Sequence, residues 1–344
     1  MDVAQFEEFN RRGALMRRAL VIGIDGYETN PLHGCINDAT AVAEYLERNG
    51  DGSPNFDVLR AIDGEYEVTS EALHVAVENL FKADAETVLL YFAGHGLINP
   101  ETNNGYLVSI DGRRGGWGVS LGDILTLANN AHPRIKSTVI ILDSCHSGYA
   151  GEVQTINNAA IAAIGTGVTI LTASHRDGTA QEANGRGVFT DILLDGLAGG
   201  CSDVLGNITP AALYSHVDQT LGSWEQRPVY KANVNTFVKL RQVSPKVSLD
   251  ILRRLPKYFP KASDQFLLDP SFEPDRQNVP EELKGFPVDE EKSKIFKELQ
   301  ICNRHGLIVP VGTDHMYYAA IESKACRLTA VGAHYRKLAE LKRI

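Results

Sequence analysis

Short apolar runs, each followed by a helix-period pattern, constrain this chain more than any other feature. Ala19–Ile24, Thr87–Phe92, Ser137–Leu142 and Val168–Ala173 have the length and content of buried strands. The run at Thr87–Phe92 is continuous rather than alternating, as expected when both faces of a strand are covered. Asp57–Ile62 and Asn235–Leu240 supply a further strand each, and Tyr106–Ile110 a short hairpin arm. Between them, Ala39, Val42, Ala43 and Leu46 recur at helical spacing behind Asn37 or Asp38 as a cap. Leu73, Val77, Leu80 and Phe81 do the same behind Ser70. Ser120 opens a helix to about Asn130, and Phe189–Leu197 and Pro210–Leu221 are two more. Alternation of this kind predicts an α/β fold with a mostly parallel six-stranded sheet sandwiched by helices. Gly148–Gly167, rich in Ala, Asn and Gly, reads as a loop directly after the run at Ser137–Leu142.

Charge divides the 344 residues. The part through Lys246 carries a net charge of −11 and the remainder +2, within a total of −9. The acidic part repels nucleic acid at long range. The shift supports a boundary near Ser244-Pro245, giving a domain over 1–245. A helical stretch over Leu249–Leu255 followed by six prolines from 256 to 287 predicts a low-regularity connector over 246–287, and helical patterns resume over 288–344. There Lys292–Arg304, Gly306-Leu-Ile-Val, a strand-like Met316–Ile321 and a final helix capped by Thr329 resemble a winged-helix module of about 55 residues. Five widely spaced cysteines without a CxxC argue for a reducing compartment. With no apolar run long enough to span a bilayer and no secretory pattern at the start, a cytoplasmic protein without membrane partners is expected.

Two strand ends carry the chemistry. The run from Thr87 ends in Tyr91-Phe-Ala-Gly-His-Gly96 and the run from Ser137 in Ile141-Leu-Asp-Ser-Cys-His-Ser-Gly148. Ligands bind outside the carboxyl ends of parallel strands, so both segments belong on one functional edge. His95 and Cys145 are then candidates for a base and a thiol nucleophile, since an imidazole nearby favours the reactive thiolate.

The segments RALVIGIDGY, LHGCINDA, VLLYFAGHG, VIILDSCHSG and LTASHRDGTAQE…GVFTDILLDGL resemble the caspase-like cysteine peptidases of the metacaspase and orthocaspase branch over residues 18 to 240. The resemblance implies a caspase-like sheet, Cys145 as nucleophile and His95 as general acid/base. It puts the oxyanion on the backbone N–H groups of Cys145 and Gly96, one such donor being worth about 3 kcal/mol of barrier. The pocket for the residue before the cleaved bond falls on Cys35, Asp38 and Asp143, whose carboxylates select Arg or Lys. Ala93 stands where metacaspases usually have Ser, which removes one polar contact from that pocket. The expected partner is therefore a protein or peptide substrate with Arg or Lys before the cleaved bond. No cofactor is expected. The calcium many members use is disfavoured because Glu152 is the only carboxylate between Cys145 and Arg176. Residues 146–175 hold no Lys or Arg, which disfavours autocleavage there. Prokaryotic members often carry sensor modules and act as conditional effectors in defence, so a regulatory ligand or protein partner at the C-terminal module is expected.

Other readings compete. A caspase fold without catalysis would serve as an interaction scaffold. Gly118-Val-Ser-Leu-Gly122 matches the GxSxG pattern of serine hydrolases, but Ser120 reads better as a helix cap with Asp123 three residues on. Asp38 could be only a cap, His146 a loop residue, and His33 and His175 bystanders. Cys201, Cys302 and Cys326 read as small apolar fillers. DNA binding by the tail, through Arg327, Arg336, Lys337, Lys342 and Arg343, is disfavoured against docking of a partner or ligand, with Tyr317-Tyr318 able to stack on a flat one.

Overall fold

The computed structural model describes residues 17–99, 104–144, 152–154, 160–162, 164–173, 182–183, 186–222, 227–277 and 279–344. They fall into two compact units, 17–202 with 207–243, and 203–206 with 244–344. Among the described residues no helix is long and apolar enough to cross a membrane.

The first unit is built on a six-stranded sheet. Its strands are β1 (Arg17–Gly23), β2 (Asp57–Ile62), β3 (Thr87–Ala93), β7 (Ser137–Asp143), β8 (Val168–Thr172) and β9 (Val229–Asn233). Their order is β9-β8-β7-β3-β1-β2, and every pairing except β8 with β9 is parallel. Three further strands, β4 (Gly96–Asn99), β5 (Asn104–Arg113) and β6 (Gly116–Ser120), form a small antiparallel sheet after β3. The helices are α1 (Cys35–Glu47), α2 (Ser70–Lys82), α3 (Leu121–Ala131), α4 (Val188–Asp195) and α5 (Pro210–Leu221).

Strand periodicity sorts the core into two faces. Leu89, Tyr91, Ala93, Val139 and Ile141 pack with α1, α4 and α5, whereas Val88, Leu90, Phe92, Ile140 and Leu142 pack with α2 and α3. Both faces are covered, so these strands carry no polar alternation.

Several local expectations shift. The sixth strand is Val229–Asn233, not Asn235–Leu240. It is an antiparallel edge strand, and its half-exposed side chains leave a weak apolar signal in the sequence. Helix α1 starts at Cys35, with Gly34 at the cap and no side-chain bond from it. Asn37 and Asp38 therefore lie inside the first turn. Asp25 serves the helix instead: Oδ1 accepts the Cys35 N–H at 2.9 Å and Oδ2 the Ile36 N–H at 3.4 Å. Within 148–167, Glu152–Gln154 and Ala160–Ala162 pair as an antiparallel ribbon.

The second unit has its own core. Helices α6 (Leu249–Tyr258), α7 (Glu290–Arg304), α8 (Met316–Ile321) and α9 (Ala330–Glu340) accompany strands β10 (Gln265–Leu267), β11 (Ile308–Val311) and β12 (Ala325–Leu328), in the antiparallel order β10-β12-β11. Leu252, Leu255, Phe259, Phe296, Leu299, Cys302 and Cys326 are fully buried in it. Burial pushes both of these thiols up to about 12, so they stay neutral. Arg254 grips Glu298 at 2.9 and 2.6 Å, and the Tyr258 hydroxyl donates to the same carboxylate at 2.7 Å, tying α6 to α7.

The helical stretch expected over Leu249–Leu255 is α6, and the rest of 246–287, expected as a connector, adds a strand to this unit. Pro256 lies inside α6 and Pro270 starts a one-turn 3-10 helix, so these two prolines shape the unit and mark no linker. Met316–Ile321 is a helix rather than a strand. Met316, Ala319 and Ala320 are buried at helical spacing, a short apolar run that composition alone leaves ambiguous.

Gly332 lies against the chain entering β11. A Cβ there would run into the Leu307 carbonyl, whereas one at Gly285 would meet nothing within 4 Å. We expect Gly332→Ala to destabilise the second unit by about 1–3 kcal/mol or more, and Gly285→Ala to change it by less than about 0.5 kcal/mol. Thermal unfolding followed by circular dichroism checks both.

Candidate active site

The register of β3 and β7 places Ala93 opposite Asp143, and the Gly94 N–H donates to the Asp143 carbonyl at 3.3 Å. The loops that follow both strands therefore leave from neighbouring points on the carboxyl edge of the sheet. His95 lies two residues past β3. On the β7 side, the described chain runs to Ser144; Cys145 and His146 lie outside the described residues, as does His175.

His95 is held from three sides. Its ring faces Tyr27, with centroids 4.5 Å apart. Its backbone N–H donates to the Tyr27 hydroxyl at 3.0 Å, and that hydroxyl donates to the Val108 carbonyl at 3.0 Å. Burial pushes the Tyr27 phenol above its usual range, so it remains a donor. The His95 Nε2 lies 2.6 Å from the Asn30 carbonyl. A carbonyl only accepts, so Nε2 carries the proton, and in the neutral ring Nδ1 holds the lone pair. Asn30 adopts a positive φ of 57°, which turns this carbonyl toward the ring and suits an Asn.

Two buried carboxylates lie on the α1–α4 side of the same edge. Asp38, in the first turn of α1, is 1% exposed, and its Oδ2 accepts the Gly187 N–H at 2.8 Å. Asp143, at the end of β7, has the odd parity that turns its side chain to this face. Its Oδ2 accepts from the Thr190 hydroxyl at 2.7 Å, and Thr190 Oγ1 is 2.6 Å from the Tyr91 hydroxyl. Burial, then Asp143, then Asp38, raise the Tyr91 phenol well above its usual value. Tyr91 therefore donates to Thr190, and Thr190 to Asp143. Gly187 sits between the carboxylates. A Cβ there would overlap Asp143 Oδ2 and lie 3.1 Å from Asp38 Oδ2, so only glycine lets the strand pass this close.

Cys35 and Ala93 join this surroundings as apolar packing beside Ala39 and Tyr91. Ala93 is 1% exposed and offers the pocket no side-chain polar atom. Gly96 is half-buried at the start of β4. On the opposite side of His95 lies a cavity of about 680 Å³, with Tyr27, Gly96, Leu97 and Trp117 among its walls.

Ser120 belongs to neither site. It ends β6, the outer arm of a hairpin. Ser120 is 9% exposed, and its Oγ accepts the Asp123 N–H at 3.3 Å as the cap of α3. Among the described residues no three His, Cys, Asp or Glu side chains come together as a metal site. Asp25, Tyr27, Asn30, Gly187 and Thr190 escape the sequence reading as site residues. Asp25, Tyr27, Gly187 and Thr190 stand in the quoted GIDGY and GVFTDILLDGL segments and Asn30 just beyond the first, but their partners are distant in the chain.

A caspase-domain family model matches residues 16–239. Metacaspase III c of Phaeodactylum tricornutum is 34% identical over 151 residues, covering 38% of this chain and 43% of that protein. Metacaspase-1A of Aspergillus fumigatus is 29% identical over 156 residues, covering 41% and 37%. The chain spans less than half the length of these curated relatives. Among solved structures, a Geobacter sulfurreducens protein shares the fold at a TM-score of 0.50 and 16% identity, over 67% of this chain and 98% of that one.

Replacing Thr190 by the isosteric Val removes the donor that Asp143 uses and strands the Tyr91 hydroxyl. We expect Thr190→Val to lower stability by about 2–4 kcal/mol, measured by urea unfolding at neutral pH.

Proposed function

The chain belongs to the caspase-domain family, and on that premise we propose that it is a cysteine endopeptidase cleaving after Arg or Lys. The observation that carries this reading is the convergence of Asp38 and Asp143 on Gly187, at the sheet edge from which His95 also emerges. Two carboxylates in a recess match a guanidinium or ammonium by charge and hydrogen bonding, and repel an acidic side chain.

In this reading the His95 Nδ1 takes the Cys145 thiol proton, the resulting thiolate attacks the scissile carbonyl carbon, and the carbonyl π electrons move onto oxygen. The backbone N–H groups of Cys145 and Gly96 receive that oxyanion. His95, oriented by Asn30 and Tyr27, delivers a proton from Nδ1 to the leaving amine as the C–N bond breaks, leaving a thioester. Water then gives a proton to the same nitrogen and its oxygen attacks the thioester, releasing the acid and restoring the thiol. No step uses a cofactor.

The second unit is read as a winged-helix-like regulatory module, supported by its helix–strand–helix order and three-stranded antiparallel sheet. Arg336, counted among the tail's bases, is 6% exposed and donates to the Phe259 and Pro260 carbonyls. Its charge is thereby spent inside the fold, which favours a protein or ligand partner over nucleic acid. Tyr318 is 47% exposed beside His315 and offers a stacking surface.

Fluorogenic peptides ending in Arg, Lys or Asp test the chemistry. We expect turnover of the Arg and Lys peptides only, reduced by at least about 10³-fold in Cys145→Ala. Turnover surviving that substitution would point to another nucleophile, and no cleavage under any condition would favour a scaffold. Regulation is tested by truncation after Val243, expected to change Arg-peptide turnover by about fivefold or more in either direction. Equal rates for the two chains would contradict it.

A further inference from the structure

The cavity beside His95 is built unlike the acidic pocket, and it lies on the other face of the sheet. Cys35, Tyr91 and Ala93 around the pocket pack with α1 and α4. Tyr27 and Val108, which line the cavity, belong to the opposite core face with α2 and α3, and Leu97 and Ile110 pack against that same core. His95 stands between the two. At about 680 Å³, the cavity is within the range that holds a sizeable organic group.

Chemistry decides what must enter it. A general acid has to come within hydrogen-bond reach of the nitrogen it protonates. In peptide hydrolysis that nitrogen is the backbone amine of the residue after the cleaved bond. If the side chain before the bond is in the acidic pocket on one side of His95, the residue after it is carried by a nitrogen next to the His95 ring. The hollow that His95 and Gly96 themselves line is then the space available to it. Leu97, Ile110 and the half-buried Trp117 give that hollow an apolar wall facing the polar Thr29 and Asn30, and Tyr27 lines it next to the imidazole. Glu28 and Asp111 share its rim with Arg113. Asp111 is fastened by the Ser70 N–H at 2.8 Å. The rim therefore has more negative than positive charge.

We infer that this cavity is the subsite for the residue following the cleaved bond, and that it selects a large apolar or aromatic side chain there through Trp117. The inference rests on the endopeptidase reading. It adds a second selection to the one made by Asp38 and Asp143. An Arg or Lys bond followed by Leu or Phe becomes the preferred target, and one followed by Gly or Asp a poor one.

The test uses the full chain and internally quenched peptides identical except for the residue after a fixed Arg, set to Leu, Phe, Gly or Asp. We expect kcat/KM for Leu and Phe to exceed that for Gly by about tenfold, the scale of burying one large apolar side chain. In Trp117→Ala the Leu-to-Gly ratio falls to about one or two, while Trp117→Phe keeps most of it, which separates loss of the subsite from loss of folding. A wild-type ratio near one, or an undiminished ratio in Trp117→Ala, overturns the subsite and leaves the endopeptidase reading standing. Failure of every Arg peptide to be cleaved overturns that reading, and the subsite with it.

Discussion

The parallel pairing that sets Ala93 opposite Asp143 is the contact on which the chemistry of this chain depends. It brings two strand ends, 50 residues apart in sequence, to one edge. Because strand side chains alternate, it also turns Asp143 toward the α1–α4 face. A slip of one residue in this register would reverse that parity, moving the carboxylate away from Asp38 and Thr190. Uninterrupted apolar runs on both strands and helices on both faces hold the register. A core built for packing thereby fixes the spacing of polar groups that take no part in packing.

Around that register the polar groups constrain one another. The buried phenol of Tyr91 is kept protonated by burial and by the two carboxylates, so it can only donate toward Thr190, which passes its own proton toward Asp143. Buried carboxylates are costly without donors. The Thr190 hydroxyl and the Gly187 N–H each meet part of that demand. On the other side, the Asn30 carbonyl and the Tyr27 ring fix the His95 tautomer and plane. His95 and the two carboxylates thus have separate supports joined through a shared sheet edge.

What could be read from sequence divides by distance along the chain. The strands at 87–93 and 137–143, the helices behind Ser70 and Ser120, and the candidate roles of His95, Asp38 and Asp143 follow from local pattern or from motif resemblance. Asn30, Tyr27 and Thr190 did not, because each acts on a partner 47 to 99 residues away. Asp25 shows the same limit in a simpler form: an Asp ten residues ahead of a helix is not at a capping position by spacing, yet the folded loop returns it there. Helix α8 and edge strand β9 were misplaced for a different reason. One is a six-residue apolar run that fits either period, and the other has too little burial to leave an apolar signature. Arg336 reads as a surface base because a guanidinium buried on backbone carbonyls has no sequence mark.

The proposal is that a substrate cation pairs with Asp38 and Asp143 beside Gly187 while His95 attends the reacting bond. A crystal structure of the chain treated with a peptide aldehyde ending in Arg measures this directly. The account predicts a hemithioacetal on Cys145, the guanidinium between the two carboxylates beside Gly187, and the His95 Nδ1 within hydrogen-bond distance of the adduct. An adduct on another residue, or an Arg side chain pointing to solvent with Asp38 and Asp143 undisturbed, would contradict it.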